Sequence, residues 1–396
     1  MAETLALHGG RPIRPALLPY GRHWVDDADV ASVVDSLKSG WVTTGPPVAR
    51  FERAVAAQVS AARGVAVSSG TAALHAAVFA VGIGAGDEVI APPLTFAATT
   101  NAVLYQGGVP IFADIDPDTL TLDPVEVERR LTSRTRAVIA VDYAGQPCDL
   151  HALRALTESR GVALIEDAAH ALGARYRGRP LGALADLTTW SFHPVKHVTT
   201  GEGGMVTTND PELADRCVRF RNHGITTDAA QREAAGDWVY EMVDLGFNYR
   251  LTDLQCALGL AQLGKLESFL VRREAIAARY REAFAGQGGL TLPAVAADVR
   301  HAWHLYPVLL DLERLGADRR TVFSALRAEG IGVNVHYIPV YWHPYYRGLG
   351  YDKGLCPRAE AAYQRLLSLP MFPAMDDRDV DDVVTAMRKV LGHYAR

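Results

Sequence analysis

The chain has 396 residues, 49% of them hydrophobic and 21% charged, which suits a globular protein of about two domains with a sizeable core. Its 40 basic and 45 acidic residues leave a formal charge of −5, and no half of the chain is strongly basic, so a nucleic-acid binder is not the default. The cysteines (Cys148, Cys217, Cys256, Cys356) are widely spaced and contain no C-x-x-C pair, which argues for free thiols in a reducing compartment over a disulfide framework or a zinc site.

Residues 1–25 read as irregular. Asp26 and Asp27 offer caps to a helix whose apolar positions Val30, Val33, Val34 and Leu37 follow helical spacing, and Gly40 stops it. A loop through Pro47 precedes a second amphipathic helix ending near Ala62. Strands and helices then alternate. Strands are expected at 65–67, 88–91, 109–112, 136–141 and 162–165, and helices at 71–81, 96–105, 125–131 and 150–160. That repetition predicts an α/β fold with a mostly parallel, doubly covered sheet and right-handed crossovers. Thr188-Thr189-Trp190 and Met205-Val206-Thr207-Thr208 read as two further strands. A helix at 211–221, a polar stretch at 222–237 and a long helical region at 252–284 follow. Residues 303–310 and 331–338, with a closing helix at 376–392, suggest a smaller α+β C-terminal domain. The expected division is 1–262 for the large domain with its N-terminal arm, and 263–396 for the small one. No run of about 18 apolar residues occurs and the first residues lack a signal-peptide layout, so a cytoplasmic protein without membrane contact is expected.

In such sheets ligands bind outside the carboxyl ends of the strands, and the unusual polar residues fall there. Ser69-Gly70-Thr71 is a strand-to-helix turn whose free amides and dipole can hold an anion, unless Ser69 or Thr71 merely caps the helix. Asp167, at the end of an apolar strand, needs a cationic or hydrogen-bonding partner. A protonated pyridine nitrogen would serve, and so would a plain helix-capping role. Phe96 could stack on a flat ring or belong to the core. Between Ser191 and Gly204 lie Lys196, His193, His197, a hydroxyl-rich turn and three glycines. A lysine held there, partly desolvated, can act as a nucleophile; the alternative is a surface lysine in a polar loop. Gly82-Ile83-Gly84-Ala85-Gly86 follows a helix and precedes a strand, the wrong order for a dinucleotide loop, which weighs against a dehydrogenase. Taken together, a phosphate cradle, a ring stacker, an acid and a lysine occur in order at the strand ends of one sheet.

These motifs, with Trp41-Val42-Thr43-Thr44-Gly45-Pro46, Arg221-Asn222-His223-Gly224, Gly246-Phe247-Asn248-Tyr249-Arg250 and Val335-His336-Tyr337, resemble the DegT/DnrJ/EryC1/StrS family of sugar aminotransferases over nearly the whole chain. The resemblance implies a fold-type I transferase dependent on pyridoxal 5'-phosphate. The segment 191–204 looks most like the branch that aminates C4 of UDP-linked 4-keto-6-deoxy-N-acetylhexosamines in pseudaminic acid synthesis. By that resemblance Lys196 forms the internal aldimine and shuttles the proton. Asp167 pairs with the ring nitrogen, Phe96 stacks on the ring, and His170 lies near the ring hydroxyl. Gly70, Thr71, Ala72 and Ser191 hold the phosphate, and Asn248 reaches the phosphate of the neighbouring subunit, so that the working unit is a homodimer with shared sites. His193, Arg250 and His336 lie near the sugar or pyrophosphate. The implied partners are an amino-acid donor, glutamate by analogy, and a nucleotide sugar. A cyclitol ketone or aminobenzoate-type precursor as acceptor, and a cofactor-binding regulator without turnover, stand as alternatives. Dehydratase members replace the lysine with histidine; Lys196 followed by His197 reads as an aminotransferase.

Overall fold

Strand alternation decides the architecture. In the computed structural model, which describes residues 4–227, 232 and 236–396, seven short runs pair into one sheet. They are β1 (Arg63–Val67), β2 (Glu88–Ala91), β3 (Val109–Phe112), β4 (Thr135–Val141), β5 (Ala163–Asp167), β6 (Leu187–Ser191) and β7 (Gly204–Thr208), in the order β1-β7-β6-β5-β4-β2-β3. β7 runs antiparallel to both β1 and β6, and the other pairings are parallel. Successive side chains leave opposite faces. Val65, Val67, Val89, Ala91, Ile139 and Ile165 therefore pack under the helices Gly70–Ala80 and Pro211–Phe220. Ala66, Ile90, Val138, Ala140 and Leu164 pack on the other face against Phe51, Val55 and Leu153 of the helices Pro46–Gln58 and Leu150–Glu158. With both faces covered, the strands carry apolar residues throughout.

A second core surrounds a three-stranded antiparallel sheet of Leu290–Thr291, Tyr306–Leu310 and Leu366–Leu369. The helices Leu266–Phe284, Arg319–Ala328 and Asp377–Tyr394 cover it. The N-terminal arm joins this core through Leu5 and Leu18. It is pinned where the buried Glu329 carboxylate accepts the amides of Ala6 at 2.8 Å and Ile13 at 3.1 Å.

Most large-sheet elements lie within a few residues of expectation, and four features differ. The helix Asp27–Lys38 is capped by Asp26 but turns its apolar edge outward, Val30 and Leu37 being 54% and 55% exposed. Its inward edge is polar: Asp29 meets Gln262 at 2.8 Å and Lys265 at 2.5 Å, and Ser32 donates to the Ala257 carbonyl. The long helical region is two helices, Asp253–Leu263 and Leu266–Phe284. They break at Gly264, a poor helix former, where Lys265 is tied back to Asp26 and Asp29. Residues 331–338 form no strand, only isolated bridges of Ile331 to Leu18 and of Asn334 to Ser368. Phe96 precedes its helix, which begins at Ala98. Much of the polar stretch 222–237 lies outside the described residues. Among the described residues no helix is long and apolar enough to cross a membrane, and all four cysteines are free and buried.

Candidate active site

The parallel register brings the strand ends together. Val141 of β4 lies beside Asp167 of β5, and Asp167 beside Thr189 of β6. Above these ends opens a cavity of about 560 Å³, lined among others by Gly70, Thr71, Phe96, Asp167, His170, Ser191, His193, Lys196 and His336. Nine of the twelve residues singled out in the sequence thus meet in one place. Ala72, Asn248 and Arg250 are outside the lining.

The corner at one end is built from backbone. Ser69 caps the helix Gly70–Ala80 with its hydroxyl on the Ala72 amide at 3.1 Å, so that amide is already taken, while the Gly70 and Thr71 end faces the cavity. A Cβ on Gly70 would sit 2.8 Å from the Ser191 Cβ, and one on Gly204 would strike the Ser69 carbonyl. Glycine is needed at both to bring β1, β6 and β7 this close. The corner offers amides, hydroxyls and a helix dipole to an anion, which fits a phosphate ester.

Asp167, 5% exposed, accepts from the Thr99 hydroxyl at 2.7 Å and from the Ala169 amide at 3.3 Å. Thr95 in turn lies 2.8 Å from Thr99. Burial raises the Asp167 pKa; these bonds and the charge of Lys196 pull it back. Lys196 is partly buried, and desolvation lowers its ammonium to about 8 against the opposing pull of Asp167. A neutral amine is therefore accessible near physiological pH. Phe96 is 61% exposed on the cavity wall, so it is not a core residue. His197 turns away from the cavity and donates from Nε2 to the Ala302 carbonyl at 2.8 Å.

His170 is buried against His304, with ring centroids 4.4 Å apart, and contacts Tyr337 through Nε2 at 3.1 Å. Burial, with Lys196 next in effect, holds it well below the ordinary imidazole range, so it is neutral. His336 is also neutral, burial taking it to about 4. The Val335 amide donates to Asn334 Oδ1, which orients the Asn334 amide so that its nitrogen faces His336 Nε2 at 3.3 Å; Nδ1 faces the Ser368 hydroxyl at 3.0 Å. Both ring nitrogens of His336 are engaged within the chain. His193 is exposed on the wall with no side-chain bond among the described residues. Asn248 is exposed and pairs with Asn222 through backbone, and Arg250 donates to Asn222 Oδ1 at 2.6 Å.

Sequence reasoning missed Thr99, Thr95, Tyr20, His304, Asn334 and Tyr337. Thr95 and Thr99 carried a readable signal: two hydroxyls one helical turn apart, beside Phe96, at a strand end. Asn334 and Tyr337 flank the expected His336 but carried no role of their own, and Tyr20 and His304 come from segments more than 100 residues from Lys196 that no local pattern brings to this cavity.

A cavity that gathers an anion corner, a buried acid, an exposed aromatic ring and a desolvated lysine fits pyridoxal phosphate, and the molecule's relatives place it among the aminotransferases of fold type I that depend on that cofactor. The family model for the DegT/DnrJ/EryC1/StrS aminotransferase family matches residues 24–388, and the chain belongs to that family. It is 45% identical over 381 residues to the spore coat polysaccharide biosynthesis protein SpsC of Bacillus subtilis, covering 96% of this chain and 98% of that protein. The putative sugar aminotransferase Spr1654 of Streptococcus pneumoniae, solved in its PMP form, superposes with a TM-score of 0.90 at 32% identity, covering 95% of this chain and 99% of that one. PseC of Helicobacter pylori, an aminotransferase of pseudaminic acid biosynthesis, gives 0.89 at 29% identity, over 96% and 100% of the two chains.

Proposed function

We propose that the protein transfers an amino group from an amino acid, glutamate by analogy, to the C4 keto group of a nucleotide-linked 4-keto-6-deoxy sugar, in two half-reactions at one site. The observation that carries this reading is Lys196, with its pKa lowered to about 8, facing the same cavity as the buried Asp167 and the Gly70–Thr71 corner. PseC, which acts in pseudaminic acid biosynthesis, and SpsC, named for spore coat polysaccharide, support a sugar acceptor.

Pyridoxal phosphate, when bound, supplies a conjugated sink for the electrons released at the substrate carbon. The chain's residues do the rest. Gly70, Thr71 and Ser191 would hold the phosphate, with Ala72 shaping the helix start behind them. Asp167 would pair with the ring nitrogen, its carboxylate aimed by Thr99 and Ala169, whose bonds favour the ionised form against burial. Phe96 would cover the ring. Lys196 accepts and returns the substrate proton as base and then acid. His193 contacts the sugar nucleotide, His336 contributes a wall, and Asn248 acts across a subunit boundary, while Arg250 is held by Asn222 outside the cavity lining. A homodimer is favoured by the exposed apolar run beside Asn248: Trp238, Val239, Tyr240, Met242, Val243 and Leu245 are each more than half exposed. We place the division between the two domains at residues 262 and 263, with the N-terminal arm crossing it.

The test is a pair of half-reactions. Protein loaded with pyridoxal phosphate should lose its visible absorption on adding L-glutamate, release 2-oxoglutarate, and regain the band on adding a UDP-4-keto-6-deoxy-N-acetylhexosamine. Regain only with a cyclitol ketone or an aminobenzoate precursor would replace the acceptor. No loss of the band with any amino donor would leave a cofactor-binding regulator.

A further inference from the structure

The bonds around His170 have a fixed direction. A backbone amide can only donate, so the Ala144 N–H, 3.3 Å from His170 Nδ1, requires a lone pair there. The ring is neutral, because burial holds its pKa well below the ordinary range, so its one proton sits on Nε2. That proton points at the Tyr337 hydroxyl oxygen, 3.1 Å away. The oxygen thus accepts, and the hydroxyl hydrogen must go elsewhere. Among the described residues no other side chain or carbonyl is hydrogen-bonded to the Tyr337 hydroxyl, and Tyr337 lines the cavity beside Phe96, with ring centroids 6.0 Å apart. The ring cannot swing freely: it lies nearly parallel to His170, at 21°, and packs edge-on against His336 at 5.0 Å. His170 is itself backed by His304 at 4.4 Å.

We propose that Tyr337 is the hydrogen-bond donor to the phenolic oxygen of bound pyridoxal phosphate, and that His170 is a positioning residue acting through it, from the order Ala144 N–H, His170, Tyr337 hydroxyl, cavity. This rests on the proposed function and adds to it, since the histidine's only proton is already committed and the tyrosine's is not. A donor at that oxygen stabilises its anion most when the conjugated nitrogen has lost its own proton. It therefore lowers the pH at which the bound cofactor's absorption changes.

The experiment is a pH titration of the visible absorption of pyridoxal phosphate-loaded protein, with the thermal midpoint of the cofactor-free protein measured alongside. Tyr337→Phe should move the absorption midpoint to higher pH by about one unit, a roughly tenfold change for loss of one charge-assisted bond. It should weaken cofactor binding several-fold while leaving the cofactor-free melting temperature within about 2 °C, a surface-scale change. Should that variant fail to fold, the His170 pair decides. His170→Gln keeps an acceptor for Ala144 and a donor for Tyr337, so its midpoint stays near wild type. His170→Leu loses both, and its midpoint moves up. A midpoint unmoved by Tyr337→Phe, or moved equally by His170→Gln and His170→Leu, overturns the inference. A wild type that shows no absorption band at all fails the proposed function instead, so the two failures are distinguishable.

Discussion

At the scale of single residues the site is a set of desolvated groups that correct one another. Lys196 is lowered to about 8 chiefly by burial, with Asp167 pulling the other way. Only the neutral amine condenses with an aldehyde, so the rate of cofactor loading should rise with pH and level off above about 8. A rate flat across that range would mean the amine is not the titrating group. The folded protein binds fewer protons at Lys196 than the unfolded chain between about 8 and the ordinary lysine value near 10.4, so this group's contribution to stability rises with pH through that window. Thr99→Val removes the shortest bond to the Asp167 carboxylate while keeping the side chain's shape. It should destabilise the ionised acid by about 1–2 kcal/mol and weaken cofactor binding about tenfold, read by equilibrium dialysis. Asp167→Asn, which cannot hold the ring-nitrogen proton by charge, should cost about 10²-fold in turnover with the fold intact. Lys196, Asp167 and the Gly70–Thr71 corner were legible because each is an odd residue at a strand end. Tyr337 and His304 were not, since a tyrosine or histidine in an irregular segment carries no pattern of its own.

At the scale of elements the large sheet could be read from sequence because its strands are short, apolar and separated by amphipathic helices. Periodicity failed where polar contacts decide the packing. The valines of the helix Asp27–Lys38 suggested a core face, yet Asp29 and Ser32 take the inward side through Gln262, Lys265 and Ala257. The strand Leu366–Leu369 was missed because it follows directly on the helix Pro357–Arg365 with no turn signal between them. Behind the strand ends, Glu166 and Asp142 are buried together. Desolvation raises both acids, and Asp142 further by the charge of Glu166. The folded state therefore holds more protons here than the unfolded chain, so stability falls as pH rises from the ordinary carboxylate range towards neutrality. Glu166→Gln, which keeps an acceptor for Thr188, should flatten that part of the melting-temperature profile. A profile with the wild-type slope would remove the pair as its source.

At the scale of the whole molecule the site is assembled from distant parts of one chain. Tyr20 of the arm, His304 and the segment 334–337 close a cavity whose floor belongs to the large sheet. Three expected residues, Ala72, Asn248 and Arg250, stay outside it, and two of them follow closely on the apolar run 238–245. If that run packs against a second copy, Leu245→Asp should shift the protein towards monomer by light scattering and weaken cofactor binding in step. A monomeric wild type would remove that reading.

The most direct measurement concerns one bond. Pyridoxal phosphate added to the protein and fixed with borohydride should leave a single reduced adduct, mapped by peptide mass spectrometry to Lys196. Adducts on Lys38, Lys265, Lys353 or Lys389 instead, or no adduct above that formed with the denatured chain, would contradict the account.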